Sequence, residues 1–205
     1  EYDKNQFDEE IVNSLSEKNA VVVADPTLLL TKEEWTDEIA DSSVDISEPY
    51  IFVYFLGKNQ DARKAVNELK RHVGYKIVTI KNMDEYVSSD DTFGDESPFC
   101  VDPNDFVKYI SNAAYVCTDS FHCTVFSIIF QRKFMTFYRY AKVCKNSRNS
   151  RIDSLFSMLC IKNRLFLGNN ILDIEASIDY DCVSSRLKSI RDSSIEFLRD
   201  GLANN

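Results

Sequence analysis

Glycine is scarce. The 205 residues hold five (Gly57, Gly74, Gly94, Gly168, Gly201), too scattered to write a dinucleotide fingerprint or a phosphate-binding P-loop. NAD or ATP binding through those motifs is excluded. Histidine is scarcer, with His72 and His122 alone, and no His/Cys/Asp group has zinc-ligand spacing, so no metal is expected. The six cysteines (Cys100, Cys117, Cys123, Cys144, Cys160, Cys182) include no CxxC pair, and two of them lie in apolar segments where a thiol behaves as a small hydrophobe. That usage is expected of a reducing, cytoplasmic chain. No hydrophobic run approaches bilayer-spanning length, and the opening EYDKNQFDEE is too acidic for a secretory signal. Bases are in deficit too: 24 Lys and Arg against 33 Asp and Glu give a net charge of -9, which argues against a nucleic-acid partner. No GxSxG occurs, and Ser120 and His122 are too close in sequence to serve as a hydrolase nucleophile and base without a third group.

What is present is enough apolar material, 44% of residues, to bury a full core in a chain slightly longer than a typical single domain. One domain with an appendage is expected. The chain opens inside a helical pattern without Met, which suggests a piece of something longer. Asp8 to Leu15 reads as a helix, Ala20 to Ala24 as a strand, and Thr31 as the cap of a helix containing Glu34 and Trp35. The polar stretch Asp41 to Glu48 reads as a linker and marks the boundary between residues 1–47 and 48–205.

Beyond the linker, strands and helices alternate. Tyr50 to Leu56 is a continuous apolar strand ended by Gly57, the pattern of a strand covered on both faces. Asp61 to Val73 is amphipathic, Lys76 to Ile80 is a strand, and Asp102 caps a helix with Pro103 at its first position. Ala114 to Thr118 and Lys133 to Tyr138 are further strands. Ser150 is expected to cap a helix from Arg151 to Cys160, Arg164 to Leu167 to add a strand, and a long terminal helix to carry Val183, Leu187 and Ile190. The alternation predicts an α/β fold with a Rossmann-like parallel sheet flanked by helices, and places function at the carboxyl ends of the strands.

The chain centres on TDSFHCTVFSIIF, Thr118 to Phe130, where a buried strand passes through a hydroxyl-rich turn into an almost wholly apolar helix. Thr118, Asp119 and Ser120 are favoured N-cap types, so the amides of Phe121 to Thr124 are expected to point unpaired from the first turn and to attract an anion. His122 stands there, able to give or take a proton near neutral pH. The alternative is a purely structural cap.

Charge is segregated. Residues 82–105 carry eight acids and no bases, which predicts a long mobile loop, and residues 131–151 carry seven bases and no acids. Either the basic run is a solvated surface that pairs with the acidic loop, or it cradles an anion. Arg148 and Arg151 flank Ser150, where a helix dipole disfavours cations unless an anion sits between them, and this favours the cradle.

DPTLLLTKEEW (Asp25 to Trp35), PYIFVYFLG (Pro49 to Gly57), FVKYISNAAYVCTDSFHCTVFSIIF (Phe106 to Phe130) and NSRIDSL (Asn149 to Leu155) together resemble the polysaccharide pyruvyl transferase family. The resemblance implies transfer of the enolpyruvyl unit of phosphoenolpyruvate to a sugar or lipid-linked oligosaccharide, usually as a ketal, with loss of phosphate and without a cofactor. It implies a GT-B-like enzyme of two Rossmann-like halves, of which this chain is the C-terminal, donor-binding half, cytoplasmic or peripheral at the inner membrane face, with the missing N-terminal half as partner. The family's histidine falls on His122, and its turn on Asp119, Ser120 and Thr124. Two departures stand out: Cys123 replaces a frequent Gly and is expected to crowd the backbone, and Ser120 stands where more distant members carry Arg. The donor's anionic groups then need other cations, for which Arg148 and Arg151 are the candidates. A nucleotide-sugar glycosyltransferase and a non-catalytic half-domain are the alternatives.

Overall fold

A computed structural model describes residues 14–15, 21–83, 85–140 and 148–203. Most of the helix expected at Asp8 to Leu15 therefore lies outside the described residues, although Ser14 and Leu15 are helical, and so do Lys142 and Lys145 of the basic run. The chain divides into two compact units: Thr31–Ala141 with Asn163–Ser177, and Glu1–Leu30 with Lys142–Lys162 and Ile178–Asn205.

The first of these units holds the sheet. Its four strands, β1 (Tyr50–Tyr54), β2 (Lys76–Thr79), β3 (Tyr115–Thr118) and β4 (Lys133–Thr136), run in the order β2-β1-β3-β4. All pairs are parallel, with Ile51 opposite both Ile77 and Tyr115, and Tyr115 opposite Lys133. The sheet carries helices α1 (Lys32–Glu38), α2 (Gln60–Val73), α3 (Pro103–Asn112) and α4 (Phe121–Ile129).

Alternation along β1 divides its side chains between two layers. Ile51, Val53 and Phe55 join Ala62, Ala65, Val66 and Leu69 of α2 in a core that also takes Cys117, Met135 and Phe137. On the opposite face Phe52 stacks on Tyr109 of α3 at 5.9 Å, and Tyr54 meets Phe106 edge-on at 5.0 Å. Burial on both faces is why the strand reads as an unbroken apolar run. The helices start where the sequence places caps: Asn59 accepts from the amides of Asp61 and Ala62, Asp102 from that of Asp105, and Thr31 and Glu34 form a reciprocal capping box. The stretch before β1 has no regular structure and is tied to α3 by Ser42 Oγ donating to Asp105 at 2.6 Å.

The acidic segment departs from expectation. It is anchored along its middle by bases from α2 and β2, and near its start Glu85 pairs with Lys58 of the loop between β1 and α2. Asp90 pairs with Arg63 at 2.6 Å in a buried bridge, Asp95 binds Lys70 and the Ile77 amide, and Glu96 binds Lys76 beside an isolated bridge to Val78. Gly94 makes the close approach to the sheet: its φ is 90°, and a Cβ there would sit 2.6 Å from Thr79 Cγ2.

The strand expected at Arg164 to Leu167 shrinks to one bridge between Leu165 and Thr136. The Arg164 side chain explains this. It is buried and donates to the carbonyls of Asn163, Asp173 and Ala176, turning the chain into the short 3-10 helix Ile171–Glu175, while Asn170 takes the Leu167 amide and the Leu165 carbonyl.

In the second unit, α5 (Ser150–Met158) and α6 (Tyr180–Ala203) are the main helices. Ser150 is the first helical residue and not the cap; Asn149 is the N-cap, though its side chain makes no capping hydrogen bond, and α5 ends two residues short of Cys160. The described part of the expected strand Ala20 to Ala24 pairs with no other strand, and its Ala24 amide donates instead to Ser194 Oγ on α6 at 2.9 Å. Among the described residues, no helix is long and apolar enough to cross a membrane.

Candidate functional site

The strand order sets the location of the site. The connection leaving β1 crosses to β2 on one side, whereas β3 lies on the other side of β1, so a crevice opens between the carboxyl ends of β1 and β3. Asp119 stands at that point, one residue past β3. Its carboxylate accepts from the amides of Leu56 and Gly57, both at 2.8 Å, joining the exits of the two strands. Arg139, just past β4, donates from Nη2 to the Asp119 carbonyl at 3.2 Å, while its Nε lies 3.7 Å from Oδ1. Burial raises the Asp119 pKa above the ordinary carboxylate value, and the Leu56 amide, Arg139, the Gly57 amide and Arg63 oppose that rise. Gly57 is required by contact: a Cβ there would lie 2.8 Å from Asp119 Oδ2 and 3.0 Å from Arg139 Cγ.

The turn into α4 is tied by hydrogen bonds among its own residues and to the neighbouring strands. Thr118 Oγ1 donates to the Tyr54 carbonyl and accepts from the Ser120 amide. Ser120 Oγ caps the Cys123 amide, and its carbonyl accepts from the amide and hydroxyl of Thr124, which is 3.0 Å from the Thr136 hydroxyl. The amides of Cys123 and Thr124 are therefore engaged, contrary to the expectation that all four first-turn amides point outward. Cys123 does not crowd the backbone face either. Its side chain is buried, and burial pushes the thiol pKa up to about 12.

His122 is exposed, its ring edge-on to Phe121 at 5.5 Å. It lines a cleft of about 540 Å³ walled by Trp35, Tyr54, Phe106 and Phe126, with Asn82, Asp102 and Asn104 supplying polar groups. Trp35 and Phe126 hold that wall edge-to-face at 4.9 Å. A second cleft of about 300 Å³ is lined by Leu56, Gly57, Lys58, Asn82, Glu85, Arg139 and Tyr140. Asn82 borders both clefts and is fixed by donating to the Leu56 carbonyl at 3.2 Å.

The sheet unit thus brings together Asp119, Ser120, His122 and Thr124. Arg148 and Arg151 belong to the other unit, where both are exposed and Arg151 Nη2 is 3.4 Å from Asp25. Lys58 and Arg139 were not singled out by sequence reasoning. The available signal was their position directly beyond β1 and β4, where a parallel sheet places its function. Among the described residues, no group of three or more His, Cys, Asp or Glu could hold a metal ion.

A family model described as polysaccharide pyruvyl transferase matches residues 6–140, which span the sheet from β1 to β4 and the whole His122 turn. The chain belongs to the polysaccharide pyruvyl transferase family. Family members are transferases, and this one has the parallel sheet flanked by helices of a GT-B-like half. Its fold is similar to that of UDP-GlcNAc 2-epimerase from Neisseria meningitidis bound to UDP-GlcNAc, with a TM-score of 0.60 at 9% identity over 95% of this chain and 58% of that one. It is also similar to the Methanocaldococcus jannaschii UDP-GlcNAc 2-epimerase in complex with UDP-GlcNAc and UDP, with a TM-score of 0.52 at 14% identity over 86% and 50% of the two chains. The chain spans between half and three fifths of the length of these structures. No curated protein matches it.

Proposed function

We propose that this pyruvyl transferase family member moves the enolpyruvyl unit of phosphoenolpyruvate onto a sugar of a surface polysaccharide or its lipid-linked precursor, forming a pyruvate ketal. One observation carries the reading beyond family membership: His122, exposed at the head of α4, lines the larger cleft beside the crevice where the sheet reverses its strand order.

The chemistry asks for an acid and a place for the leaving phosphate. Protonation of the donor's methylene carbon makes the adjacent carbon electrophilic, and a sugar hydroxyl adds there. His122 supplies that proton and recovers one from the attacking hydroxyl. Loss of phosphate and addition of the second hydroxyl complete the ketal, and the second hydroxyl proton leaves with the phosphate. Asp119, Ser120 and Thr124 build the turn beneath the donor. No cofactor enters this scheme, and a donor drawn from central metabolism fits a site on the cytoplasmic side. Arg148 and Arg151 are candidates for holding the donor's anionic groups, tested by their own double substitution.

The fold neighbours, whose structures hold UDP-GlcNAc, raise a second reading, a nucleotide-sugar enzyme that would take a diphosphate in the same crevice. Calorimetric titration of phosphoenolpyruvate into the full-length protein, with UDP as competitor, separates the two. The expected result is saturable binding that UDP does not displace, with phosphate release on a glycan acceptor lost in His122→Ala. Binding of UDP in place of phosphoenolpyruvate refutes the transferase reading, and unchanged turnover in His122→Ala removes the histidine from it.

A further inference from the structure

We infer that the smaller cleft, at the exits of β1 and β4, is an anion subsite in which Arg139 and Lys58 receive the phosphoryl group of the donor. The identity of the donor rests on the function proposed above; the negative charge of the group does not.

Arg139 keeps an unmatched donor. It faces the Tyr140 ring at 6.0 Å and its Nη2 is spent on a neutral carbonyl; among the described residues its Nε is buried without a hydrogen-bond partner, and the Asp119 oxygen it faces lies at 3.7 Å, within ion-pair but beyond hydrogen-bond distance. That carboxylate, Asp119, already accepts two backbone amides. A buried donor left unmatched is uncommon enough to require a cause, and an oxyanion that draws the guanidinium toward it provides one. Lys58 has a partner that is easily exchanged: its 2.6 Å pair with Glu85 leaves the two side chains 61% and 57% exposed, and ion pairs of that kind contribute little.

The floor is closely packed. Gly57 lets the Asp119 carboxylate and the Arg139 side chain close onto the backbone, where a Cβ would meet them at 2.8 and 3.0 Å, and the loop that carries Lys58 is held from below. Arg63, 5% exposed, donates to the carbonyls of Gly57 and Asn59 on either side of Lys58, and its own charge is met by Asp90. The rings of Phe55 and Phe93 lie 5.5 and 5.9 Å from its guanidinium. A volume of about 300 Å³ leaves ample room for a phosphoryl group with its ester oxygen and bound water. Asn82 then separates an anion in this cleft from the larger cleft that His122 lines. The arrangement also answers the departure at Ser120, which is buried and committed to the α4 cap and so leaves the charge to other residues.

The test is calorimetric titration of phosphoenolpyruvate, inorganic phosphate and UDP, each separately, into the full-length protein and its Lys58→Ala and Arg139→Gln variants. Lys58→Ala changes an exposed side chain and keeps the test valid should Arg139→Gln fold poorly. Each substitution is expected to weaken phosphoenolpyruvate binding about tenfold or more, with inorganic phosphate competing in the wild type. Wild-type affinity for phosphoenolpyruvate in both variants overturns the subsite and leaves the donor assignment standing. Binding of phosphate or UDP, but not phosphoenolpyruvate, that both substitutions weaken supports the subsite and refutes the donor. Failure of all three anions to bind the wild type overturns the subsite.

Discussion

Replacing Gly57 by alanine is the sharpest test of how the β1 exit is held. The added methyl would sit 2.8 Å from Asp119 Oδ2, and real Cβ atoms do not approach so near. Asp119 has no free direction in which to yield. Its two oxygens are fixed by the Leu56 and Gly57 amides at 2.8 Å, and the added methyl would also press on Arg139 Cγ at 3.0 Å. Either the strand exit moves, at the usual overpacking cost of about 1–3 kcal/mol, or one charged hydrogen bond is lost, at about 1.5–3 kcal/mol. Because one relieves the other, the costs do not add, and the net loss is about 2–3 kcal/mol. For a chain of this size each kcal/mol lowers Tm by about 2–4 °C, so the variant should melt about 4–12 °C below wild type. Urea unfolding should show a lower midpoint at unchanged slope, the sign of lost stability without a change in the surface exposed. Gly201→Ala is the control: nothing lies within 4 Å of its Cβ position, and in a helix the change should be neutral or stabilising by up to about 1 kcal/mol. A Gly57→Ala protein that melts within a degree of wild type refutes the argument.

Other expectations follow from charges and thiols that do not themselves line either cleft. Arg63→Met should cost about 3–5 kcal/mol in urea unfolding, since it strands the buried Asp90 carboxylate, and Arg63→Met with Asp90→Leu should recover most of that loss. Asp95 is held below the ordinary carboxylate range, first by the Ile77 amide and then by Lys70. A depressed carboxylate contributes stability above its unfolded pKa and loses it as pH falls through the folded one, so Asp95→Asn should flatten the stability profile below about pH 4. With a thiol reagent on the folded protein, the exposed Cys100 and Cys160 should react, while the buried Cys117 and Cys123 stay protected until unfolding. Mass mapping of the labelled peptides decides this.

Much of the sheet could be read from the chain because its signals are local. Tyr50 to Tyr54 is apolar without interruption, and α2 and α3 carry caps and a repeating inward face, so strand, helix and parallel pairing follow from neighbouring residues. The acidic segment misled because its pairing partners lie elsewhere in sequence: Asp90 meets Arg63 and Asp95 meets Lys70, tens of residues upstream. Composition reports net charge and cannot report those distances. Arg164 misled for a related reason, since a buried arginine that gathers three carbonyls leaves no mark on hydropathy. At the site, His122 was legible from its turn. Lys58 and Arg139 carry no motif, and their loops, separated in the sheet by β3, meet only at the cleft that both line.

The sheet unit is assembled from two separate stretches of chain, and the second arrives late. Residues 163–177 bring Ile171 and Ile174 into the core beneath β3 and β4, seal it with the Arg164 carbonyl clasp, and tie Glu175 to Lys133 and Tyr115. A ribosome must therefore complete the intervening stretch of the other unit before this face of the sheet can close. Until then Tyr115, Cys117, Met135 and Phe137 lack part of their cover, an interval in which apolar surface of the nascent chain is open to its neighbours. Breaking the chain after β4 would make that interval permanent, even though every strand of the sheet had already been made.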